Sequence, residues 1–184
     1  LQQQLLWDGN GNGNGNGADR DLSNNSFSGI IPNELAAITT LEDVNLNDNK
    51  FHGTIPSGLF ELPTLFSLQV DNNFLIGGLP KALSESTSLY MLGLNNNNFT
   101  GSIPDSISTL KTLVAVGLNN QLTGSIPAAI FNMTSLKQLY LANNNLSGSL
   151  PAAIIQLENL EQIWLDNNSI EGPLPSAICS LPLL

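Results

Sequence analysis

The feature that most constrains the fold of this chain is an internal repeat. A glycine followed three residues later by a proline occurs seven times. Successive prolines are 24 residues apart, except for 23 between Pro104 and Pro127. The pairs are Gly29/Pro32, Gly53/Pro56, Gly77/Pro80, Gly101/Pro104, Gly124/Pro127, Gly148/Pro151 and Gly172/Pro175. A fixed period of this length is typical of a solenoid, in which each turn buries its apolar side chains against its neighbours.

Each turn also carries the pattern L-x-x-L-x-L-x-x-N-x-L-x-G, as in Leu136, Leu139, Leu141, Asn144, Leu146 and Gly148. Its x-L-x-L-x part alternates with period two, which predicts a short strand with inward leucines. Successive turns then form a parallel sheet with strands ~4.8 Å apart, so that seven turns make a stack of roughly 30 Å. The proline fixes φ and lacks a backbone donor, which favours a short helical or irregular return.

An asparagine occupies the same place in every turn. Its side chain offers two donors and an acceptor, which suit the backbone groups left unpaired where each turn bends. We therefore expect a structural ladder rather than a row of ligand contacts. Its members are Asn25, Asn49, Asn73, Asn97, Asn120, Asn144 and Asn168.

The segments Thr100-Gly101-Ser102-Ile103-Pro104 and Thr123-Gly124-Ser125-Ile126-Pro127 match L-x-G-x-I-P consensus turns. Through them the chain resembles the plant-type leucine-rich repeats, including the ectodomains of receptor-like proteins and receptor-like kinases. The resemblance implies an α/β solenoid shaped as a horseshoe or superhelix. It would have a parallel β-sheet on its concave face, short 3-10 or irregular segments on its convex face, and about seven 24-residue turns. It also implies a setting outside the cell or at its surface, and recognition of a peptide, protein or glycan.

Both ends depart from the family pattern. Residues 1–19 offer Trp7 without the paired cysteines of a cap, and they alternate Gly and Asn from Gly9 to Gly17. We interpret them as a low-complexity linker or a degenerate amino-terminal cap. Residues 20–184 are the predicted repeat domain, which we expect to stop before its carboxyl-terminal cap. Arg20 stands where the first turn should place an inward apolar residue.

Two local features leave alternatives open. Cys179 can begin a cysteine-paired closing cap, as in members of the family, or it can be a buried thiol that behaves as a small hydrophobe. The fifth turn is one residue short between Leu118 and Asn120, which should tighten or kink that corner. The alternatives are a functional bend and a tolerated deletion, of which we favour the deletion.

The charge of the chain restricts its partners. Fifteen acidic and five basic residues give a net charge of -10, which repels nucleic acid and anionic membranes. No apolar run approaches the roughly 20 residues that span a bilayer, so we expect no membrane contact by this segment itself. Five Asn-x-Ser/Thr sequons are possible glycan acceptors in an extracellular protein, at Asn24, Asn98, Asn132, Asn145 and Asn167.

The outward side chains of the predicted sheet are the candidate ligand site. Tyr140 and Trp164 should lie side by side and exposed on adjacent strands, next to a patch cleared by Gly93 and Gly117. Exposed amphipathic aromatics commonly anchor partners or stack on sugar rings. The alternative is a cross-strand pair that only stabilises the sheet. The predicted patch comprises Tyr140, Trp164, Gln138 and Gln162, with Asp43, Asp71 and Asp166 favouring a basic region of the ligand.

The sequence does not indicate catalysis. The one histidine, His52, lies beside a turn glycine without a nucleophile motif, and the Gly-Asn run lacks the lysine of a phosphate loop. We expect no catalytic residue, cofactor or metal in this chain, although a kinase elsewhere in a longer protein is compatible with the resemblance. The leading hypothesis is a receptor-like recognition scaffold in signalling or defence.

Two other functions stay open on the sequence. One is a secreted inhibitor of a cell-wall hydrolase, similar to polygalacturonase inhibitors. The other is an ice-binding or structural protein, because Ser and Thr flank the turn glycines in files. Those files are interrupted at Ile76, Gly78, Glu171 and Pro173, which disfavours ice binding.

Overall fold

The computed structural model describes residues 18–184. The predicted linker from Gly9 to Gly17 and the residues around Trp7 lie outside this range. The described chain winds through seven turns, each containing a strand of one continuous sheet, a second strand outside that sheet and a 3-10 helix. The predicted solenoid is therefore confirmed.

The first sheet is parallel and holds one strand from every turn, in chain order. We call it the concave sheet, after its place in the predicted horseshoe. Its strands are β1 (Ala18–Asp21), β3 (Leu41–Asn45), β5 (Ser67–Gln69), β7 (Met91–Gly93), β9 (Ala115–Gly117), β11 (Gln138–Tyr140) and β13 (Gln162–Trp164). β1 pairs with β3 from Ala18 onward.

A second set of strands follows the ladder asparagines, and the sequence analysis did not predict it. It forms two parallel lateral sheets rather than one. The first contains β2 (Ser28–Ile30), β4 (Lys50–Gly53), β6 (Phe74–Gly77) and β8 (Asn98–Phe99). The second contains β10 (Thr123–Ser125), β12 (Asn145–Gly148) and β14 (Ser169–Ile170). A bridge between Ser102 and Thr123 joins them, and there the N–H of Gln121 donates to the carbonyl of Phe99 at 3.0 Å and that of Thr123 to the carbonyl of Gly101 at 2.8 Å.

Seven 3-10 helices of five residues form the opposite side of the solenoid. Each begins directly after a repeat proline, whose carbonyl accepts the N–H of the residue three positions later, as from Ile107 to Pro104 at 3.0 Å. The helices are Asn33–Ala37, Ser57–Glu61, Lys81–Glu85, Asp105–Thr109, Ala128–Asn132, Ala152–Gln156 and Ser176–Ser180. The short helical return predicted from the proline is therefore confirmed.

The core is continuous from one turn to the next. The inward side chains Leu68, Leu92, Val116 and Leu139 of the concave strands are completely buried. Phenylalanines from the lateral strands and 3-10 helices fill the centre of the stack. Burial of such aliphatic and aromatic side chains supplies most of the stability of a repeat array, turn upon turn.

The ladder asparagines bond the backbone between neighbouring turns. Asn97 is typical: its Nδ2 donates to the carbonyl of Val70 in the preceding turn at 2.9 Å and to those of Leu94 and Asn95 in its own turn. Its Oδ1 accepts the N–H of Leu75 at 2.9 Å. One side chain thus satisfies four backbone groups in the corner of the solenoid.

The shortened fifth turn alters this pattern at Asn120. Six turns place an asparagine or aspartate with positive φ before the ladder residue, such as Asn96 and Asn143. Within the described chain the fifth turn has no such residue, and Asn120 Nδ2 donates only to the carbonyl of Leu94. This is also where the lateral sheet divides, so the predicted irregularity of this corner is present.

The ends of the described chain differ from the interior. Arg20 is exposed, and its Nη1 donates to the carbonyl of Asp19 at 2.9 Å. Cys179 is exposed, so its interpretation as a buried thiol is wrong. Ile155, at the same position of the preceding 3-10 helix, is also exposed. None of the helices in residues 18–184 has the length and hydrophobicity needed to cross a membrane.

Candidate functional site

The concave sheet aligns its outward residues in continuous rows. Hydrogen-bonded neighbours place Asn45, Gln69, Gly93, Gly117, Tyr140 and Trp164 in one row. A parallel row contains Asp43, Ser67, Met91, Ala115, Gln138 and Gln162. Side chains that the sequence separates by about 24 residues thus become direct neighbours on a rigid surface.

Tyr140 and Trp164 lie next to each other, with ring centroids 6.4 Å apart and planes tilted by 49°. The indole of Trp164 is 41% exposed, but Tyr140 is only 3% exposed. The prediction that both rings are exposed is therefore wrong for Tyr140. Its ring forms a small buried cluster with Met91 and Ala115, and its hydroxyl donates to Gln162 Oε1. Burial also raises the pKa of the Tyr140 phenol.

The two glutamines of the predicted patch flank these rings. Gln138 and Gln162 face each other across β11 and β13, and both are half-buried. Gln162 holds the tyrosine hydroxyl, which fixes the ring against the sheet. The accessible part of the predicted patch is therefore the indole of Trp164 with the free polar atoms of the two glutamines.

Gly117 does not leave the open space expected of it. A Cβ at this position would clash with Asn95 Nδ2, because the Asn95 carboxamide covers the glycine. Asn95 itself is 1% exposed. The missing side chain thus accommodates a neighbour from the preceding turn rather than a ligand.

The three predicted acidic residues are not brought together with the aromatic pair. Asp43 lies on β3 and is half-buried, whereas Asp166 is exposed just after β13 and accepts from Asn167 Nδ2 at 3.1 Å. Asp71 was expected to face a ligand, but it is 3% exposed. That expectation is wrong because neighbouring strands shield its short side chain, and its Oδ1 accepts the N–H of Asn95.

Asp71 belongs to a second side-chain ladder, which the sequence analysis missed. Asn47 Oδ1 accepts the N–H of Asp71 at 2.6 Å, and Asn95 Oδ1 accepts that of Asn119 at 3.1 Å. Asn47, Asp71 and Asn95 therefore each cap the backbone of the next turn, whereas Asn119 Oδ1 has no partner among the described residues. The signal for it was the run of amide and carboxyl side chains at four equivalent outward positions, Asn47, Asp71, Asn95 and Asn119.

The second ladder continues into a polar network across β3 and β5. Asn47 Nδ2 donates to Gln69 Oε1 at 3.3 Å, and Gln69 Nε2 donates to Ser67 Oγ at 3.3 Å. Ser67 lies opposite Asp43 in the sheet register. The side chains of Asn47, Gln69 and Ser67 thus form a chain of hydrogen bonds on the outward side of the concave sheet.

Burial dominates the electrostatics of these two carboxyls. It raises the pKa of Asp71 to about 7. Hydrogen bonds from the backbone N–H and the side chain of Asn95 oppose this rise, because they favour the charged form. Burial also raises the pKa of Asp43, with an opposing hydrogen bond from Ser67 and a further increase from the charges of Asp19 and Asp21. A hydrogen bond from Ser23, by contrast, lowers the pKa of Asp21.

The predicted glycan acceptors all lie away from the concave sheet. Asn98 and Asn145 are on lateral strands, Asn132 ends a 3-10 helix, and Asn24 and Asn167 occupy corner positions with positive φ. All five side chains are exposed. In the described residues no group of three or more His, Cys, Asp and Glu side chains could hold a metal ion.

Two sequence models with the description leucine-rich repeat match the chain. One matches residues 108–170, and the other matches residues 21–38, 40–62 and 88–110. Together they cover more than half of the chain. No curated protein matches it in sequence.

Solved structures of receptors superpose closely on the chain. The plant peptide hormone receptor RGFR1, in complex with RGF2, is 37% identical, with 90% of this chain and 27% of that chain covered and a TM-score of 0.87. A TDR receptor is 38% identical over 89% of this chain and 29% of that chain, with a TM-score of 0.86. The Arabidopsis receptor kinase HAESA, in complex with the peptide hormone IDA and the co-receptor SERK1, is 31% identical over 90% of this chain and 32% of that chain, with a TM-score of 0.81. The chain spans less than a third of the length of each.

Proposed function

Since the chain belongs to the leucine-rich-repeat family, we propose that it is a non-catalytic recognition segment of a cell-surface receptor that binds a peptide or protein on its concave sheet. Among the similar structures, the plant peptide hormone receptor RGFR1 is in complex with RGF2, and HAESA is in complex with the peptide hormone IDA. This similarity supports the receptor class and an extracellular location. The proposal covers the segment described and leaves signal output to other parts of a longer protein.

The observation that carries the proposal is the accessible indole of Trp164 on an otherwise well-packed concave sheet. Its neighbour Tyr140 is held by Gln162, so the indole rests against a fixed surface. A rigid aromatic side chain loses little entropy on binding and buries a large area, which is why such residues dominate binding energies. The half-buried Gln138 and Gln162 add polar groups at its side.

The test is selection of binders from a random dodecapeptide display library on the immobilised chain, followed by affinity measurement for the enriched peptides. Replacing Trp164 by alanine should weaken their binding at least tenfold, which corresponds to about 1.4 kcal/mol. Ile155→Ala is the matched control, because Ile155 is similarly exposed but lies in a 3-10 helix on the opposite side. Full affinity in the Trp164→Ala variant would contradict the proposed site.

A Tyr140→Ala/Trp164→Ala double variant adds a second comparison. Because Tyr140 is buried, its removal is expected to lower stability as well as binding. Affinities of the double variant are therefore compared only at temperatures where circular dichroism shows it folded. A recognition role for Tyr140 beyond support of Trp164 requires a further loss in the double variant.

A further inference from the structure

The first lateral sheet exposes two large apolar side chains on one strand. Phe74 is 58% exposed and Ile76 is 51% exposed, and both belong to β6. Because side chains alternate along a strand, these two lie on the same outward face, ~7 Å apart, while Leu75 between them is buried. Adjoining apolar surface left in water is unfavourable and commonly marks a place where another group docks. We call Phe74 and Ile76 the apolar patch.

The next strand carries a possible glycan acceptor beside this patch. Asn98 begins β8, is exposed, and is followed by Phe99 and Thr100, which complete its sequon. Ile76 and Asn98 are direct partners in the register of β6 and β8. With strands ~4.8 Å apart, the Cα of Asn98 lies about that far from the Cα of Ile76 and ~8 Å from the Cα of Phe74. Both distances are within the span of the two N-acetylglucosamine residues with which an N-glycan begins.

The chemistry of such a glycan fits the apolar patch. An N-acetylglucosamine ring presents C–H groups on its faces and an acetamido methyl group at its edge. The C–H groups carry partial positive charge and favour the negative face of an aromatic ring such as Phe74, and the methyl group can pack on Ile76. Contact of this kind removes apolar surface of both partners from water, while the sugar hydroxyls stay solvated.

We propose that a glycan on Asn98 folds back over Phe74 and Ile76, so that the apolar patch is a seat for the chain's own N-glycan and not for a separate protein. In a eukaryotic secretory pathway, a glycosyltransferase joins Asn98 Nδ2 to the anomeric carbon of an oligosaccharide carried on a lipid pyrophosphate. The amide loses one proton and the lipid pyrophosphate leaves. This inference needs the extracellular location proposed above, but it needs no ligand at Trp164.

Asn145 provides a matched control within the same chain. It begins β12 at the equivalent position of its turn and is exposed, as Asn98 is on β8. Its direct partner on the preceding strand is Thr123, and Gln121 lies two residues before that threonine. Thr123 and Gln121 thus take the places of Ile76 and Phe74, and both are exposed and polar. A glycan on Asn145 therefore has the same attachment geometry with polar side chains beside it.

The test uses two forms of the full chain, one that keeps only the Asn98 sequon and one that keeps only the Asn145 sequon. Every other sequon loses its Ser or Thr to alanine. Each form is produced with glycan in a eukaryotic secretory host and without glycan in bacteria, and mass spectrometry measures occupancy. We expect the Asn98 glycan to raise the Tm by roughly 2–4 °C more than the Asn145 glycan does. Nuclear Overhauser contacts between sugar protons and the Phe74 ring are expected in the Asn98 form.

Variants of the patch assign the effect to its two side chains. Phe74→Ser/Ile76→Ser should abolish the extra rise in Tm, with each glycosylated variant compared with its own unglycosylated form. Ile30→Ser is the control, because Ile30 is 60% exposed on the same sheet but lies three strand intervals, or ~14 Å, from β8. This control should keep the extra rise. Since all three side chains are exposed, the variants are expected to stay folded, as circular dichroism can verify.

Two results would overturn the inference directly: equal rises in Tm from the two glycans, or an Asn98 sequon that the secretory host leaves unoccupied. An extra rise that persists in the Phe74→Ser/Ile76→Ser variant would also overturn it, because the glycan would then act without the patch. Phe74 and Ile76 would in those cases be open to a separate protein partner. The proposed function is tested by Trp164-dependent peptide binding, so it stands or fails independently of these outcomes.

Discussion

Single side chains bond adjacent turns in this solenoid, and Asn144 shows how much one of them does. Its Nδ2 donates to the carbonyls of Leu118, Leu141 and Ala142, and its Oδ1 accepts the N–H groups of Asn120 and Leu122. Replacement by alanine leaves these buried groups without a partner. Each unpaired buried group costs roughly 1–3 kcal/mol.

We therefore expect Asn144→Ala to lower the free energy of unfolding by at least about 2 kcal/mol, measured by urea denaturation. The neighbouring Asn145→Ala is the control: the Asn145 side chain is exposed, and such changes usually stay within ±0.5 kcal/mol. Equal stabilities of the two variants would show that the ladder is not needed for the fold.

Asp71 predicts a dependence of stability on pH. Because burial raises its pKa from 3.8 to about 7, the folded state binds the proton more tightly than the unfolded state. The carboxyl therefore favours folding below the unfolded pKa near 4, and this contribution is lost as pH rises toward 7. Above pH 7 the charged carboxylate remains a constant penalty.

Asp71→Asn keeps the acceptor for the Asn95 N–H and removes the titration. Relative to the wild type, this variant should gain on the order of 3 kcal/mol between pH 4 and pH 8, since one pKa unit corresponds to about 1.4 kcal/mol. Urea unfolding at the two pH values measures the gain, and Asp105→Asn serves as the exposed control. A difference between wild type and Asp71→Asn that does not change with pH would contradict a raised pKa.

At the level of individual residues, the sequence was sufficient to assign the outward residues of the concave sheet to their rows. It was not sufficient to predict which of their side chains are exposed. The period placed Tyr140 beside Trp164 and Asp71 between Asn47 and Asn95. Alternation alone implied that all outward side chains are accessible. Strands about 4.8 Å apart, however, let short side chains cover one another, and that depends on side-chain packing that a pattern does not contain.

The lateral sheet is the element most sensitive to the length of a turn. Its division at the fifth turn coincides with the loss of the residue with positive φ that other turns place before the ladder asparagine. Inserting one asparagine between Asn119 and Asn120 should restore that residue. The Asn120 side chain could then reach the two carbonyls of its own turn, as Asn97 does.

We expect this insertion to raise the free energy of unfolding by about 1 kcal/mol, from hydrogen bonds of ordinary strength. The matched control inserts an asparagine between Asn143 and Asn144, where the turn already has its full length, and should destabilise the chain. If the two insertions are equally harmful, the short turn is adapted to its surroundings and not a defect.

The lateral sheets themselves were not predicted, for an identifiable reason. Their strands are two to four residues long, and five of them include the turn glycine, whose φ is positive, as at Gly77 with 98°. Alternation over so few residues gives no usable period. The exposed face also changes from Ile30, Phe74 and Ile76 in the first sheet to serine and threonine in the second, so no common pattern marks both.

For the molecule as a whole, the position of the sequons predicts which surface stays open. All five asparagines lie off the concave sheet. When the chain is produced through a eukaryotic secretory pathway, we expect glycans at these sites and unchanged affinity for library-selected peptides. Mass spectrometry before and after glycosidase treatment measures occupancy. A loss of peptide binding that glycosidase treatment reverses would place a glycan at the binding surface.

The architecture of the whole chain was predictable because one short unit repeats seven times. A turn whose sequence departs from the pattern could therefore be assigned by comparison with the other six. The composition of the concave face could not be predicted in the same way, because its outward residues differ between turns, as from Gly117 to Tyr140 and Trp164 within one row. What is shared between turns specifies the fold, and what differs between them sets the composition of the concave face.

The asparagine ladder has a consequence for the evolution of such a chain. Asn97 donates to Val70 and accepts from Leu75, so its inter-turn bonds reach back a single unit. A duplication or loss of a complete 24-residue unit therefore presents each asparagine with the same neighbours as before, whereas a one-residue change disturbs two units. Length can thus vary by whole units, and each duplication would lengthen the concave sheet by ~4.8 Å while leaving existing contacts in place.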